Sequence, residues 1–270
     1  MGLLNFDVIE SWESQLRELL VAELPPNFDA ALIASKPRHV EDARDTLLAL
    51  GDRRHVLAKV TSWLQSQAMV GYHGSRLSPD EIIGIKRDGI RALAAADRAD
   101  RISRGLSPHP NWPEVRATLA DALRLYGPGN RGGRREGQVH LTLSRSALIR
   151  GFNHYLVEGS EFDGHVAQYV LGCEGRQMMR NCGEPVVFEI HVPAGQAFDA
   201  CNPYGVREDE PPTLVRAVLA VWSYRVANPG YKFEESLIDY TMTFKGSLPA
   251  AWINEVAYLQ DAELLPHYRP

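Results

Sequence analysis

The stretch Val70-Gly71-Tyr72-His73-Gly74-Ser75-Arg76-Leu77-Ser78-Pro79-Asp80-Glu81 decides the reading of this chain. Val70 and Tyr72, with Met69 before them, suit a short strand, and the Gly-Ser pair after His73 predicts a tight turn at its end. Ser78 is then placed to cap a helix, with Pro79 at its first position and Glu81 three residues after Ser78, as a capping box requires. Ile82, Ile83 and Ile85 carry that helix to a stop at Gly89. The local expectation is a strand, a histidine-containing turn and a helix. Taken alone, a buried histidine most simply satisfies a backbone carbonyl. At a strand end beside a flexible turn it also stands where a ligand would be held.

Amino-terminal to this stretch the pattern is helical. Val8, Ile9, Trp12, Leu16, Leu19 and Leu20 recur at helical spacing from Phe6 up to the break at Pro25-Pro26. Val40 to Leu50 forms a second periodic segment that stops at Gly51, and Val56, Leu57, Val60 and Leu64 mark a third. Residues 1–66 are therefore expected to form a helical layer, and residues 67–270 the main domain.

Carboxy-terminal to it, Pro108 to Pro113 reads as a turn-rich linker, and Val115, Leu119, Ala122 and Leu123 as a helix ending near Gly127. Gly127 to Gly137 is rich in glycine and carries Arg131, Arg134 and Arg135, which suits either a solvated loop or one that contacts phosphate. Val139 to Leu143 alternates as a half-buried strand. Phe152, Tyr155, Leu156, Val166, Tyr169 and Val170 belong to a helical region interrupted at Gly159-Ser160-Glu161-Phe162 and ending near Gly172 and Gly175. Val186 to Val192 is the clearest strand, and Leu214 to Tyr224 is apolar nearly all round, as a helix buried on most sides would be. Ile238 to Phe244 alternates again, with Asp239, Thr241 and Thr243 on the polar face. Short strands interleaved with helices, without regular β-α-β spacing, predict an α+β domain.

Composition narrows the function. The 270 residues, 44% of them hydrophobic, can bury a full core. A formal net charge of -5 supplies no overall pull toward nucleic acid or an anionic membrane, although a local basic patch would. Cys173, Cys182 and Cys201 are odd in number and lack CxxC spacing, which argues against a disulfide framework or a zinc site and for a reducing compartment. Neither a leader pattern nor an apolar run of the ~20 residues needed to span a bilayer is present, so the expectation is a cytoplasmic protein with no membrane partner. There is no Gly-x-Ser-x-Gly elbow, His-Glu-x-x-His helix or phosphate loop.

In order, Tyr72-His73-Gly74-Ser75-Arg76, Asp88-Gly89-Ile90, Val139-His140-Leu141-Thr142-Leu143-Ser144, Pro185 to Val192 and Leu248-Pro249-Ala250-Ala251-Trp252-Ile253 resemble the ADP-ribosyltransferase superfamily, taken broadly to include the tRNA 2'-phosphotransferases. The resemblance runs in outline from about residue 68 to 260. It implies a split β-sheet core with the helical layer as an amino-terminal addition, and NAD as co-substrate. By this resemblance His73 would bond the 2'-hydroxyl of the nicotinamide ribose and Gly74 backbone atoms would pair with the carboxamide. Tyr72 and Ser75 would flank them, and Thr142 lies in the segment similar to that of the phosphotransferases. Arg76 or Arg145 would contact the pyrophosphate, and Tyr155 would stack on nicotinamide. Breaking the glycosidic bond creates an oxocarbenium-like centre, so the sugar must be held rigidly and the leaving group oriented.

The chain departs from the transferase pattern where many members carry a glutamate at the start of the final strand. Thr241 occupies that place, with Asp239 two residues earlier on the same face; Asp239, Glu234, Glu235 and Glu161 are the alternative carboxylates. The expected activity is transfer of ADP-ribose from NAD to a protein or nucleic-acid acceptor, as in a bacterial toxin or phage-linked effector, with an inhibitory partner protein as a further expectation. An RNA 2'-phosphotransferase is the nearest alternative, because those enzymes also lack the glutamate. They carry an arginine immediately before the Val-His-Leu segment, where this chain has Gln138, and a winged amino-terminal module, where this chain reads as purely helical. A catalytically silent nucleotide-binding member is the third reading.

Overall fold

A computed structural model of the chain describes residues 2–127, 137–151, 153–201, 212–232 and 240–264. It is a mixed α+β structure. Its elements are β1 (Leu3–Leu4), α1 (Glu13–Leu20), α2 (Phe28–Ser35), α3 (Val40–Leu50), α4 (Arg53–Gln65), β2 (Ala68–Leu77), α5 (Pro79–Asp88), α6 (Ala95–Leu106), α7 (Trp112–Val115), α8 (Leu119–Tyr126) and β3 (Gln138–Thr142). There follow α9 (Arg145–Arg150), α10 (His154–Val157), α11 (Glu161–Arg180), β4 (Glu184–Val192), α12 (Gln196–Ala200), α13 (Thr213–Ala227), β5 (Thr241–Lys245) and β6 (Ile253–Tyr258). The sheet runs in the order β5-β3-β2-β4-β6, with β1 added beside β2. β1 pairs with β2 in parallel, Leu3 opposite Ala68, whereas β4 and β6 are antiparallel, Val186 opposite Tyr258.

The chain divides into two compact units. One comprises residues 1–71, 141–147 and 191–243. Its core is helical: α13 packs on α2, α3 and α4 and buries Leu214, Val215, Val218, Leu219 and Trp222 together. The near-continuous apolarity of α13 is explained by that burial on several sides. Trp222 also donates its indole N–H to the Glu13 carbonyl at 3.1 Å and stacks on Phe28, with ring centroids 6.0 Å apart.

The amino-terminal segment departs from the expected all-helical layer. Leu3 and Leu4 are strand residues, and the first α-helix begins only at Glu13, after a 3-10 turn at Ile9–Ser11. The indole N–H of Trp12 donates to the Asn5 carbonyl at 2.9 Å, which folds the entry segment back on the helix start.

The other unit comprises residues 72–140, 148–190 and 244–270. Here α6, α8 and α11 enclose Ile102, Leu106, Ala122, Phe162, Val166 and Val170. Helix α11 continues past the expected stop to Arg180, with a break at Leu171 and Gly172, where Gly172 takes φ 63°. The predicted cap of α5 is present: Ser78 N donates to Glu81 Oε2 at 2.9 Å and Glu81 N to Ser78 Oγ at 3.4 Å, with Pro79 in the first turn. Gly89 ends the helix at φ 88°, where a Cβ would strike the backbone of Leu248 to Ala250. Ile90 then bridges to Leu248 through bonds of 2.9 and 2.8 Å.

Candidate functional site

Residues Tyr72 to Ser75 form no turn. They lie inside β2, which runs unbroken from Ala68 to Leu77. Gly71 and Gly74 weaken any strand reading of the sequence, because glycine has poor strand propensity. Packing makes their lack of side chains an advantage. A Cβ on Gly71 would come within 3.0 Å of Leu141 Cδ1, and one on Gly74 within 3.0 Å of Leu156 Cδ2 and 3.1 Å of Leu148 Cδ1. The two glycines are places where neighbouring side chains close on the strand.

Alternation along β2 leaves His73 and Ser75 partly accessible while Tyr72, Gly74 and Arg76 are buried. His73 Nδ1 lies 3.0 Å from the carbonyl oxygen of His140, in β3. A carbonyl only accepts, so Nδ1 carries the proton and Nε2 is left as the acceptor. Burial pushes the imidazole below its ordinary value, against the raising effect of the His140 carbonyl. His73 is thus a neutral, oriented acceptor at neutral pH. Its ring also meets Phe188 of β4, centroids 6.5 Å apart. The sequence reading missed His140 and Phe188 as supports for His73; the only signal was their place in alternating strands.

Arg76, expected to reach a pyrophosphate, is 7% exposed and committed to its own surroundings. Nη1 donates to Asp261 Oδ1 at 2.6 Å and to the Leu156 carbonyl at 3.2 Å, and Nη2 donates to the Gly183 carbonyl at 3.0 Å. Arg101 Nη2 in turn donates to the Arg76 carbonyl at 2.9 Å, and Arg101 and Arg98 both pair with the buried Asp163. In effect Arg76 ties the α10 end, the strand entry at Gly183 and the Asp261 turn to β2.

Tyr155 and Glu161 belong to the same unit as His73. Tyr155 Oη is 3.5 Å from Glu161 Oε2, His154 Nε2 is 3.4 Å from Glu161 Oε1, and the His154 and Tyr155 rings have centroids 4.0 Å apart. His154 was not expected at a site.

Thr142, Arg145 and Thr241 belong to the other unit. Thr142 is buried at the end of β3, and its Oγ1 accepts from Ser144 N at 3.4 Å. Arg145 opens α9 with an exposed side chain; its backbone N–H donates to Asp7 Oδ2 and Ser144 Oγ donates to Asp7 Oδ1, both at 2.7 Å. Thr241 begins β5 on its exposed side. Asp239, Glu234, Glu235, Phe152 and the arginines 131, 134 and 135 lie outside the described residues.

Among the described residues no group of His, Cys, Asp and Glu is arranged to hold a metal ion, and no helix is long and apolar enough to cross a membrane. Cys201 is buried and its thiol is pushed up to about 12 by that burial, which suits a packing role. No protein-family model matches the sequence, nor does any curated protein or solved structure.

Proposed function

We propose that the protein is an NAD-dependent ADP-ribosyltransferase that moves ADP-ribose from NAD to a protein or nucleic-acid acceptor. The observation that carries this reading is the oriented imidazole of His73: with Nδ1 spent on the His140 carbonyl, Nε2 presents a lone pair to a hydroxyl donor. A ribose 2'-hydroxyl is such a donor, and holding it fixes the sugar while the nicotinamide bond breaks. The residues fit the nucleotide in that respect, since His73 is partly accessible whereas its neighbours Tyr72 and Gly74 are packed. The motif order of the sequence supports the same reading.

The bond that breaks joins the ribose anomeric carbon to the pyridinium nitrogen. Its electron pair leaves with nicotinamide, which becomes neutral, and the positive charge passes to the sugar. His73 orients that sugar; it does not take its charge.

The test is incubation of the purified chain with NAD labelled in the adenosine moiety, with cell lysate as acceptor source, followed by mass spectrometry of protein and RNA. Labelled adduct and released nicotinamide, both lost in His73→Ala, are expected. Binding of NAD without release across many acceptors would favour a silent nucleotide-binding protein, a reading motivated by Thr241 where a glutamate is common. Removal of an RNA 2'-phosphate would favour the phosphotransferase.

A further inference from the structure

β6 is the last strand of the sheet, with β4 on one side and no strand on the other among the described residues. Its pairing sets where its backbone groups point. Leu259 N donates to the Pro185 carbonyl at 2.9 Å, and Ala257 stands opposite Val187 in the same ladder. Antiparallel neighbours alternate between pairs that exchange both bonds and pairs that exchange none. Ala257 therefore spends its N–H and C=O on β4, while Val256 and Tyr258 turn theirs to the open side. These two side chains share a face; Val256 is half-buried and Tyr258 is 54% exposed. The strand contains neither proline nor lysine, the residues that commonly blunt an open edge.

Both ends of this edge are closed. Glu189 stands opposite Glu255 but Ile190 opposite Ile253, so Asn254 is an extra residue at a bulge, and its Nδ2 donates to Glu189 Oε1 at 2.8 Å. Beyond Tyr258, Gln260 N donates to Glu263 Oε2 at 2.6 Å and is not free for a ladder. The open stretch therefore runs only from Glu255 to Leu259. What fits it is a short strand with outward groups at the same spacing, and β6 itself is one.

We infer that two copies of this chain pair antiparallel through β6, with Ala257 facing Ala257 of the second copy across a two-fold axis. Side chains directly opposite share a face, so any two-fold pairing centres on one residue of the strand. With Ala257 at the centre, Val256 lies opposite Tyr258 of the second copy and Tyr258 opposite its Val256. Each of those pairs exchanges both main-chain bonds, and a β-branched residue against an aromatic one is a favoured cross-strand pair. The neighbouring registers are worse. Centring on Glu255 sets two carboxylates directly opposite each other, which is destabilising. Centring on Val256 puts Tyr258 opposite the Asn254 bulge, which leaves a single fully bonded pair and brings the two Glu255 side chains diagonal to one another. A foreign peptide would meet the same main-chain groups, but the Val256-Tyr258 match on both sides belongs to β6 paired with itself.

The test needs no nucleotide, so it stands apart from the transferase reading. Sedimentation of the full chain over a concentration series is expected to show reversible passage from monomer to dimer. Val256→Pro removes an N–H that β4 does not use, which an edge strand tolerates, and should weaken association about 10–100-fold, the loss of one bond from each copy, with the melt little changed. Register is read by cross-linking in a Cys173→Ser background, because Cys173 is exposed. Across a pair without main-chain bonds the Cα atoms lie about 4.5 Å apart, within the roughly 4.4–6.8 Å that a disulfide spans. Ala257→Cys should therefore form a dimer under mild oxidation, whereas Val256→Cys and Tyr258→Cys should join each other when mixed and not themselves. A chain that stays monomeric up to about 1 mM overturns the inference, as does a dimer that Val256→Pro leaves intact. Self-linking of Val256→Cys in place of Ala257→Cys overturns the register.

Discussion

The Nδ1 atom of His73 and the carbonyl oxygen of His140 lie 3.0 Å apart although 67 residues separate them in the chain. The contact fixes the tautomer, since a carbonyl cannot donate, and so leaves Nε2 as the acceptor of the ring. An asparagine at position 73 can offer an amide N–H in place of Nδ1 while removing the Nε2 acceptor. His73→Asn is therefore expected to melt within a few degrees of the unaltered chain yet lose NAD binding in calorimetry. Retained binding would mean that His73 serves only the carbonyl.

Stability should depend on pH through the same histidine. Its folded value lies below the ordinary 6.5, chiefly through burial. An unfolded chain binds the proton first, so stability rises with pH between the two values. The contribution is complete above about 6.5 and is lost as pH falls through the lowered folded value. Urea midpoints followed downward from pH 8 should decline from that point, and the decline should be smaller in His73→Asn. Asp261, held below the usual carboxylate range by its bond to Arg76, adds stability that is lost only below about its ordinary 3.8. The two windows are thus separable.

Arg76 and Asp261 should behave unequally when replaced. Arg76→Met removes the donors to the Leu156 and Gly183 carbonyls, and each buried acceptor left without a partner costs about 1–3 kcal/mol. Asp261 is 70% exposed, so Asp261→Asn should cost less than about 1 kcal/mol. Chemical denaturation of the two variants measures the contrast. Equal costs would show that the ion pair dominates the cluster.

Two glycines near β2 differ in how their surroundings can yield. A Cβ at position 183 would lie 2.6–2.8 Å from the C, N and O atoms of Leu77, which are backbone of the strand. At position 74 it would press instead on terminal methyls of Leu148 and Leu156 at 3.0–3.1 Å, which can rotate. Gly183→Ala is expected to lose about 1–3 kcal/mol, the usual cost of overpacking, and Gly74→Ala less. Thermal melts rank the pair, and the reverse order would place the rigid contact at Gly74.

Local chemistry made much of the fold legible in advance. Ser78, Pro79, Glu81 and Gly89 carry all that is needed to start and stop α5, and they do so through bonds within the segment itself. Val40 to Leu50 was readable as α3 because apolar period and a glycine stop are both short-range signals. The apolar α13 was readable as buried, although that it packs on α2 and α3 was not. α2 and α6 escaped notice: α2 is apolar without a clear stripe, and α6 intersperses Asp97, Arg98, Asp100, Arg101 and Arg104 among its apolar residues and has no capping side chain.

What only tertiary structure decided concerns residues whose role depends on a distant neighbour. Gly74 looks like a turn former in the chain, yet Leu148 and Leu156 crowd it and make it a strand residue. A charged Arg76 reads as a phosphate ligand, but the Leu156 and Gly183 carbonyls and the Asp261 carboxylate surround it in the interior. His73 was visible as a candidate from its own motif, but not its tautomer, because the carbonyl that sets it belongs to another strand. Sequence carries local propensity and chemical capacity; which capacity is spent inside the protein and which remains for a ligand is settled by long-range packing, where hydrogen-bond partners are far apart in the chain.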